Sequence, residues 1–296
     1  MSKRILILAG GPVRKLDNFV TAGEGINVNL VCASLSEINY ETDRREYRLR
    51  VGKRDIASFD IIYFRVVGKR IEDAALVAGY AKARGIRVVD RLYSDSLVYP
   101  SSLSKAVETA KLIKAAIPLP KTIYGSLAYL SNVAPKEFEY PFIIKSTTGK
   151  KAREVWIVGE EIELTNLLNE LRKKEKEGAR FFAQEFVKAS MRYRVFVLGG
   201  EIVATLAQLT KWRKRFNTEE LEKGLVSEPT SEMKALAIQA TDAAGLDISG
   251  VDILRIDGTG ELLIIEANAA PSWRLVEKYT GKNMAEEILK WLIRQK

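Results

Sequence analysis

GVDIL at residues 250–254 and LLIIEANAAP at residues 262–271 carry more structural information than any other part of this chain. Each contains a short run of β-branched and aliphatic residues bounded by turn residues, which is the pattern of a β-strand. The sequence between them, Asp257-Gly258-Thr259-Gly260, is a strong signal for a hairpin turn. The sequence therefore predicts a β-hairpin near the C-terminus.

The predicted hairpin brings three oxygen-bearing side chains together. Glu266 and Asn268 are two residues apart and share one face of their strand, and Asp252 can lie beside them on the partner strand. Such oxygen donors suit a hard cation such as Mg²⁺. The alternative is a solvated polar face on an ordinary hairpin. The apolar neighbours Ile253 and Ile264 argue against it, because carboxylates held among apolar strands need a partner.

The composition is that of an ordinary globular protein, with 47% hydrophobic and 29% charged residues among 296. The net charge of +9 favours an anionic partner, or reflects a generally basic surface. The chain has no histidine and a single cysteine, Cys32, which excludes histidine-dependent triads, disulfide frameworks and metal sites built on these residues. Catalysis must therefore use carboxylates, Lys, Arg, backbone amides or a bound metal.

The first eight residues, MSKRILIL, are too short for a signal peptide or a membrane span. No apolar run elsewhere approaches membrane length. We therefore expect a soluble, cytoplasmic protein with no membrane partner. The sequence leaves the oligomeric state open, and a homo-oligomer is compatible with it.

Strands alternate with a helical segment over roughly the first 95 residues, which is the pattern of a small parallel sheet in an α/β domain. The Gly10-Gly11 turn after the first strand lacks the full spacing of a dinucleotide-binding fingerprint, which disfavours such a site. The strands are predicted over residues 5–8, 28–32, 59–65 and 85–90, and the helix over residues 71–84.

The rest of the chain combines helices with hairpin-forming strands, as α+β domains do. Ser104 is the predicted N-cap of a helix over residues 105–115, and Ser231 that of a helix over residues 231–244, which Gly245 ends. Further strands are predicted over residues 140–145, 155–158, 181–187, 193–198 and 202–206, and further helices over residues 162–176 and 284–294.

Two segments carry clustered cations. The loop at residues 146–151 joins two strands and suits phosphate oxygens, although its polarity alone favours an exposed basic loop. The segment at residues 211–217, KWRKRFN, interleaves cations with aromatic residues. It can bind nucleic acid, bind an acidic small substrate or form a solvated loop, and the residues alone leave all three open.

Six motifs, in this order, resemble those of the ATP-grasp fold and, within it, of the RimK-like carboxylate–amine ligases. The likeness spans about residues 100–296. The motifs are Ser104-Lys105 with the run 117–122, Pro141 to Lys145, Gln184 to Lys188, the run 193–204, the runs 247–254 and 266–271, and the run 277–281 with the closing helix.

The resemblance implies a fold and a domain organisation. We expect an ATP-grasp fold of mixed α/β and α+β type behind an N-terminal α/β pre-ATP-grasp domain at residues 1–98. A central subdomain at residues 99–188 would carry the phosphate lid and the adenine hinge strand. A C-terminal subdomain at residues 189–296 would carry the metal site, and ATP would lie between the two subdomains.

The resemblance also implies cofactors and site residues. The cofactors are ATP and Mg²⁺, or Mn²⁺ in its place. The nucleotide-binding residues are Lys105, Lys145, Thr148, Gly149, Gln184, Glu185, Phe186 and Val187. The metal ligands are Asp252, Glu266 and Asn268, the catalytic residues are Arg194 and Asn268, and the substrate-binding residues are Arg213, Arg215 and Asn217.

The activity implied is formation of an amide bond. These enzymes activate a carboxylate with ATP as an acyl phosphate, which an amine then attacks, here the amine of glutamate or a similar amino acid. The positive charge and the basic residues 211–215 favour an acidic small-molecule or peptide substrate. A nucleotide-binding module that has lost or changed ligase activity is the second hypothesis, and nucleic-acid binding through residues 211–215 ranks last.

The chain departs from the family pattern at several points. The family's glycine-rich loop retains one glycine here, Gly149, over residues 149–155. Arg192 stands where the family has an acidic residue, and the arginine expected at the end of the next strand falls at Gln208 or Leu209. Ser272 follows Pro271 in place of a glycine. We expect these changes to affect the choice of substrate more than the ligase activity itself.

Overall fold

The computed structural model describes residues 2–43, 46–93, 104–147, 154–210 and 225–295. In these ranges no helix has both the length and the apolarity needed to cross a membrane. The strands are β1 Arg4–Ala9, β2 Asn29–Ser34, β3 Ile38–Asp43, β4 Glu46–Val51, β5 Arg54–Asp55, β6 Ile61–Val66, β7 Arg87–Val89, β8 Thr122–Gly125, β9 Phe142–Ser146, β10 Val155–Val158, β11 Phe181–Glu185, β12 Met191–Leu198, β13 Glu201–Leu209, β14 Leu225–Val226, β15 Ile248–Arg255 and β16 Leu262–Asn268. The helices are α1 Asp17–Glu24, α2 Ile71–Lys82, α3 Lys105–Lys114, α4 Leu127–Glu137, α5 Glu161–Lys176, α6 Ser231–Ala244, α7 Arg274–Thr280 and α8 Met284–Arg294.

The N-terminal part is a parallel sheet of order β2-β1-β6-β7, which confirms the sheet predicted for the first 95 residues. Helices cover both faces, as they do in parallel sheets generally. Ile5 and Ile7 of β1 pack on the side of α1, whereas Leu6 and Leu8 pack on the side of α2. A three-stranded antiparallel sheet, β3-β4-β5, interrupts this unit between β2 and β6 and was not predicted.

The central part is an antiparallel sheet of order β10-β9-β11-β8. Successive side chains along each strand point to opposite faces of this sheet. Phe142 and Ile144 of β9 are buried against α4 and α5, so Ile143 and Lys145 of the same strand lie on the opposite face. That opposite face is the one available to a cleft.

The C-terminal part is an antiparallel sheet of order β14-β13-β12-β15-β16. On one face, Val251 and Ile253 pack against α6 and α3. On the other face, Phe196 and Leu206 join an apolar core that includes α8 and the N-terminal sheet. The core shared with the N-terminal sheet therefore covers this second face at Phe196, and Arg194 lies two residues before Phe196 on the same face of β12.

The hairpin predicted for residues 250–271 is present as β15 and β16, and the predicted helices at residues 231–244 and 284–294 are α6 and α8. Two predictions need correction. The strand predicted over residues 181–187 ends at Glu185, where pairing with β9 stops. The N-cap of α6 is Thr230 and not Ser231, because Thr230 has extended backbone angles and its side chain accepts a bond from the Met233 amide at 3.2 Å.

Candidate active site

A row of charged side chains crosses the C-terminal sheet. Arg194 on β12, Asp252 on β15 and Glu266 on β16 are Cα partners in the strand register. Arg194 donates two parallel bonds to Asp252, from Nε to Oδ1 at 2.7 Å and from Nη2 to Oδ2 at 2.6 Å. This is the bidentate geometry of strong guanidinium–carboxylate pairs. Burial alone would lower the pKa of Arg194, but Asp252 and Glu266 raise it.

A β-bulge in β16 places Glu266 in this row. The register shifts between Asp252 and Ile253, so that Asp252 pairs with Glu266 whereas Ile253 pairs with Ile264. The extra residue, Ile265, breaks the regular alternation of side chains, as bulges next to functional sites commonly do. Ile264 consequently packs in the apolar core beside α6, while the Glu266 carboxylate lies on the face of Asp252.

Glu266 joins the row to α3 and to Asn268. Lys105, the first residue of α3, places its Nζ 3.3 Å from Glu266 Oε2. The Asn268 amide donates to Glu266 Oε1 at 2.9 Å. Burial raises the pKa of Glu266, but Lys105 and the other donors outweigh it and hold the pKa below its usual value. The carboxylate is therefore kept ionised within a largely buried setting.

Lys145 lies opposite this row, on the cleft face of the central sheet. Its Nζ donates to Gln184 Oε1 at 3.1 Å and lies 5.3 Å from the centroid of the Phe182 ring. Gln184 in turn donates to Thr122 Oγ1 at 2.7 Å, which fixes the amide orientation. Burial, reinforced by the charge of Lys105, lowers the pKa of Lys145 to about 8. An ammonium with so little neutralisation favours an anionic ligand.

Apolar side chains surround Lys145 on the cleft face. In the strand register, Val155 pairs with Lys145, Ile157 with Ile143, and Phe182 with Lys145 on the other side. Val155 and Ile157 are 39% and 41% exposed, which is high for aliphatic side chains. They provide a flat apolar surface beside a cation, which suits an aromatic base joined to phosphate.

The predicted hinge residues, Glu185 to Val187, lie at and just after the end of β11. The Glu185 amide donates to the Lys121 carbonyl at 3.0 Å, and the Glu185 carboxylate accepts from the Lys121 amide at 2.7 Å. Both main-chain and side-chain groups of Glu185 are thus engaged with Lys121. Phe186 and Val187 come after the last residue of β11 and have irregular backbone.

One half-buried acid in the site was missed by the sequence prediction. Glu108 lies three residues after Lys105 on α3 and accepts a bond from the Ala267 amide at 2.7 Å. Burial raises the pKa of Glu108 to about 7. Its spacing from Lys105 on one helix face was the only available signal, because its partner is a backbone group.

The segment after Asn268 is fixed by the N-terminal sheet. Arg65, near the end of β6, donates to the Pro271 carbonyl at 2.8 Å, and its guanidinium lies 3.7 Å from the centroid of the Trp273 ring. Pro271 in turn packs on Gly250, where a Cβ would lie 2.7 Å from the Pro271 Cβ. Gly250 is the Cα partner of Asn268, so this packing positions the end of β16.

Five predicted site residues lie outside the described residues. They are Thr148 and Gly149 of the phosphate loop and Arg213, Arg215 and Asn217 of the basic segment. The described structure brings together Lys105, Arg194, Asp252, Glu266 and Asn268, with Lys145 and Gln184 opposite them.

The donor set fits a cation that is shared with phosphate. Within the described ranges, no group of three or more acidic or Cys side chains could hold a metal ion alone. Asp252, Glu266 and Asn268 offer two carboxylates and one amide. Mg²⁺ in phosphate-transfer sites is typically held by one or two carboxylates together with substrate phosphates. The residues present therefore fit Mg²⁺ bound with a nucleotide better than Mg²⁺ bound alone.

Comparison with known proteins agrees with this geometry. A sequence model of the RimK-like ATP-grasp domain matches residues 103–292, and the chain belongs to that family. It is 27% identical over 184 residues to a probable alpha-L-glutamate ligase of Haemophilus influenzae, a match covering 61% of this chain and 59% of that protein. The match thus spans less than two thirds of the relative's length.

Solved structures show the same fold over nearly the whole chain. A RimK domain ATP-grasp protein from Sphaerobacter thermophilus has a TM-score of 0.69 and 18% identity, covering 97% of this chain and 98% of that one. A RiPP-associated ATP-grasp ligase from Chryseobacterium gregarium, in complex with ADP and a leader and core peptide, has a TM-score of 0.70 and 14% identity, covering 98% and 96%. The predicted ATP-grasp fold class is confirmed.

Proposed function

We propose that this protein is an ATP- and Mg²⁺-dependent carboxylate–amine ligase. It activates a carboxylate as an acyl phosphate, joins it to the amine of glutamate or a similar amino acid, and releases ADP and phosphate. The observation that carries the proposal is the row of Arg194, Asp252 and Glu266 with Lys145 opposite it. Carboxylates for a cation and cations for phosphate oxygens share one cleft, which is what phosphoryl transfer requires.

The nucleotide would bind between the two sheets. In this proposal Lys105 and Lys145 bind phosphate oxygens, and the hinge residues after Gln184 contact adenine. The apolar face around Lys145 packs on the base. Phosphoryl transfer depends on positioning and electrostatic stabilisation, so the absence of histidine from the sequence is no obstacle.

The metal and the catalytic residues lie at the other end of the nucleotide. Asp252, Glu266 and Asn268 would hold Mg²⁺, which neutralises phosphate charge and aligns the reacting oxygens when it is bound. Arg194, held in place by Asp252, stabilises the negative charge of the transferred group. The proposed domain boundaries, at residues 98 and 188, put Lys145 and the metal ligands on different subdomains, whereas Lys105 lies on a helix that packs against the C-terminal sheet.

The substrates are proposed from chemistry and from relatives. The relative from Haemophilus influenzae is named a glutamate ligase, and the structural relative from Chryseobacterium gregarium holds a peptide. The net charge of +9 supports an acidic small molecule or an acidic peptide as the carboxylate substrate. Arg213, Arg215 and Asn217 are proposed to contact it.

Incubation with ATP, Mg²⁺, a mixed amino-acid pool and a panel of acids tests the proposal, with ADP release and product mass as readouts. We expect ADP release that needs both an acid and an amine, and a product whose mass is their sum less one water. Asp252→Asn should reduce the rate at least a hundredfold, whereas Arg255→Gln, on an exposed residue at the end of β15, should not. The proposal would be contradicted if no acid–amine pair gave ADP, or if Asp252→Asn kept full activity.

A second candidate is a nucleotide-binding module without ligase activity. It is favoured by Arg192, which places a cation where the family has an acid. Calorimetric binding of ADP without turnover across the panel would support it over the ligase.

A further inference from the structure

The chain between β11 and β12 links the central sheet to the C-terminal sheet. This linker comprises residues 186–190, and the proposed function assigns the contact with adenine to its first part. Main-chain groups are the same at every residue, so they distinguish one base from another only by where they are held. The contacts that hold the linker in place therefore bear on nucleotide recognition.

Asp257 holds the last part of the linker. It lies in the turn between β15 and β16, and its carboxylate accepts two hydrogen bonds from Ser190, from the amide to Oδ1 at 2.9 Å and from the hydroxyl to Oδ2 at 2.7 Å. The Asp257 amide donates to the Lys188 carbonyl at 2.9 Å. Because a carboxylate is a stronger acceptor than a neutral oxygen, these contacts fix both the main chain and a side chain of the linker.

Thr210 adds two further hydrogen bonds to the linker. It directly follows β13 and is buried, with 6% of its surface exposed. Its amide donates to the Ser190 carbonyl at 3.0 Å, and its Oγ1 donates to the Ala189 carbonyl at 2.6 Å. Lys188, Ala189 and Ser190 are therefore each bonded to a turn or a strand end of the C-terminal sheet.

The main chain of Val187 lies between two fixed points and lacks a partner. Before it, Glu185 is bonded to Lys121 through its amide and its carboxylate. Val187 itself is half-buried, and neither its amide nor its carbonyl has a hydrogen-bond partner among the described residues. Its carbonyl can accept from the amino group of adenine, whereas guanine presents an acceptor oxygen at the same ring position.

The turn that carries Asp257 is separated from the phosphate end of the proposed site. Asp252, a proposed metal ligand, lies three residues before the end of β15, which is about 10 Å along the strand. Asp257 lies two residues beyond that end. A substitution at Asp257 should therefore alter the binding of the base and leave the contacts to the phosphates in place.

We propose that Asp257 is a positioning residue for the base of the nucleotide. It acts by fixing residues 188–190, so that the main chain of Val187 can bind adenine, and Ser190 and Thr210 share this role. The inference rests on the proposed nucleotide site and adds the origin of a preference for adenine over guanine. It requires no direct contact between Asp257 and the nucleotide.

Calorimetric binding of Mg²⁺–ADP and Mg²⁺–GDP tests the inference, because the two ligands differ only in the base. We expect the unsubstituted protein to bind ADP at least about tenfold more tightly than GDP, because preorganised contacts favour one base. Asp257→Ala should raise the Kd of ADP about tenfold and change the Kd of GDP less than about threefold. The preference for adenine is then lost while binding of the phosphates is retained.

Three further variants make the result specific. Asp257→Asn keeps an acceptor for the Ser190 amide and a polar group for the Ser190 hydroxyl, so it should retain most of the preference for ADP. Glu261→Ala removes an exposed carboxylate from the residue just before β16 and should bind both nucleotides normally. Ser190→Ala removes one of the two bonds to the Asp257 carboxylate, so it should reduce the preference by a smaller factor and provides a milder variant if Asp257→Ala folds poorly.

Several outcomes would overturn the role of Asp257. One is an equal Kd for ADP and GDP in the unsubstituted protein, and another is a preference for ADP that survives in both Asp257→Ala and Ser190→Ala. An equal loss of preference in Asp257→Asn and Asp257→Ala would show that the hydrogen bonds are not its source. A lower melting temperature with an equal rise in both Kd values would assign Asp257 a purely structural role.

The same measurements separate this inference from the ligase function. The expected Kd changes without turnover of any acid–amine pair would support the role of Asp257 and contradict the ligase. Turnover with an unchanged preference in the Asp257 and Ser190 variants would support the ligase and contradict the role of Asp257. Binding of neither nucleotide would contradict both.

Discussion

Asp252 and Glu266 are both bonded to protein cations in the structure, and this has consequences for metal binding. Arg194 occupies both oxygens of Asp252, at 2.7 and 2.6 Å. Lys105 and Asn268 approach the two oxygens of Glu266, at 3.3 and 2.9 Å. A divalent cation must compete with these donors, and a hydrogen bond to a charged group contributes about 1.5–3 kcal/mol.

We therefore predict that Mg²⁺ binds weakly without nucleotide. Nucleotide phosphates would supply further oxygen ligands and would attract Lys105 away from Glu266. Isothermal titration of Mg²⁺ should show at least a tenfold lower Kd with saturating ADP than without it. Asp252→Asn should abolish this difference, and an equally tight Kd with and without ADP would contradict the prediction.

At the level of elements, helix α3 and the chain after it cover the edge strand of the C-terminal sheet. Among the strands that the structure describes, β16 has no neighbour on its outer side, so its outward amides need other acceptors. Glu108 accepts from the Ala267 amide at 2.7 Å, and the Pro118 carbonyl accepts from the Ile264 amide at 2.9 Å. Residues 108–118 thus take the place of a sixth strand.

Loss of the Glu108 carboxylate should affect both stability and metal binding. Its hydrogen-bond partner, Ala267, lies between the proposed metal ligands Glu266 and Asn268. Glu108→Ala leaves a buried amide without an acceptor and should lower the free energy of unfolding by about 1–3 kcal/mol. It should also weaken Mg²⁺ binding in the presence of ADP. Glu108→Gln keeps an acceptor oxygen and should lose less than half as much stability in urea denaturation. Equal losses of unfolding free energy in the two variants would show that the hydrogen bond to the Ala267 amide is not the source of the stabilisation.

The elements that could be predicted from sequence are those whose periodicity is strong. β15, β16 and α8 have continuous apolar runs or a regular apolar face, and all three were located to within three residues. α4 was not predicted, because Pro135 lies inside it and is tolerated near its last turn. β3 and β4 were missed because their sequence is rich in charged residues and lacks an apolar run.

The site could be predicted only where side chains carry the chemistry. The carboxylates of the hairpin and the strand lysine stand out in sequence by residue type and spacing. The contact between Glu108 and the Ala267 amide does not, because any residue has an amide. The pairing of Arg192 with Gln208 depends on the register of β12 and β13, which sequence fixes poorly, so two separate departures from the family pattern proved to be one contact.

In the whole molecule, one apolar core links the N-terminal sheet to the C-terminal sheet. Ile7, Phe19, Phe196 and Leu289 belong to it, so the N-terminal part and α8 are packed as one body with β12. Asp90, just after β7, adds a polar contact to this junction. Its Oδ1 accepts from the amides of Asp247 and Ile248, both at 2.7 Å.

The protonation of Asp90 should make the stability of this junction depend on pH. Burial raises the pKa of Asp90 to about 8, with Asp247 adding to the effect and the two amides and Arg91 opposing it. The folded protein therefore keeps a proton on Asp90 that the unfolded chain, with an ordinary Asp pKa near 4, gives up. Between about pH 4 and pH 8 the unfolded state binds fewer protons, so this group lowers the stability as pH rises, and it has no further effect above pH 8.

We predict that the free energy of unfolding falls by about 1 kcal/mol per pH unit from pH 5 to pH 8 through Asp90. Asp90→Asn keeps an acceptor for the Asp247 and Ile248 amides and resembles the neutral carboxyl. Because the variant has no proton to release at this position, the contribution of about one proton to the slope should disappear. Urea denaturation at each pH measures the effect, with Asp60→Asn as the control, because Arg4 holds the pKa of Asp60 at about 2. Asp60 stays ionised in both states over most of this range, so its substitution should lower stability by a similar amount at every pH. An unchanged slope in Asp90→Asn would mean that Asp90 is ionised in the folded protein, and that the junction tolerates a buried charge.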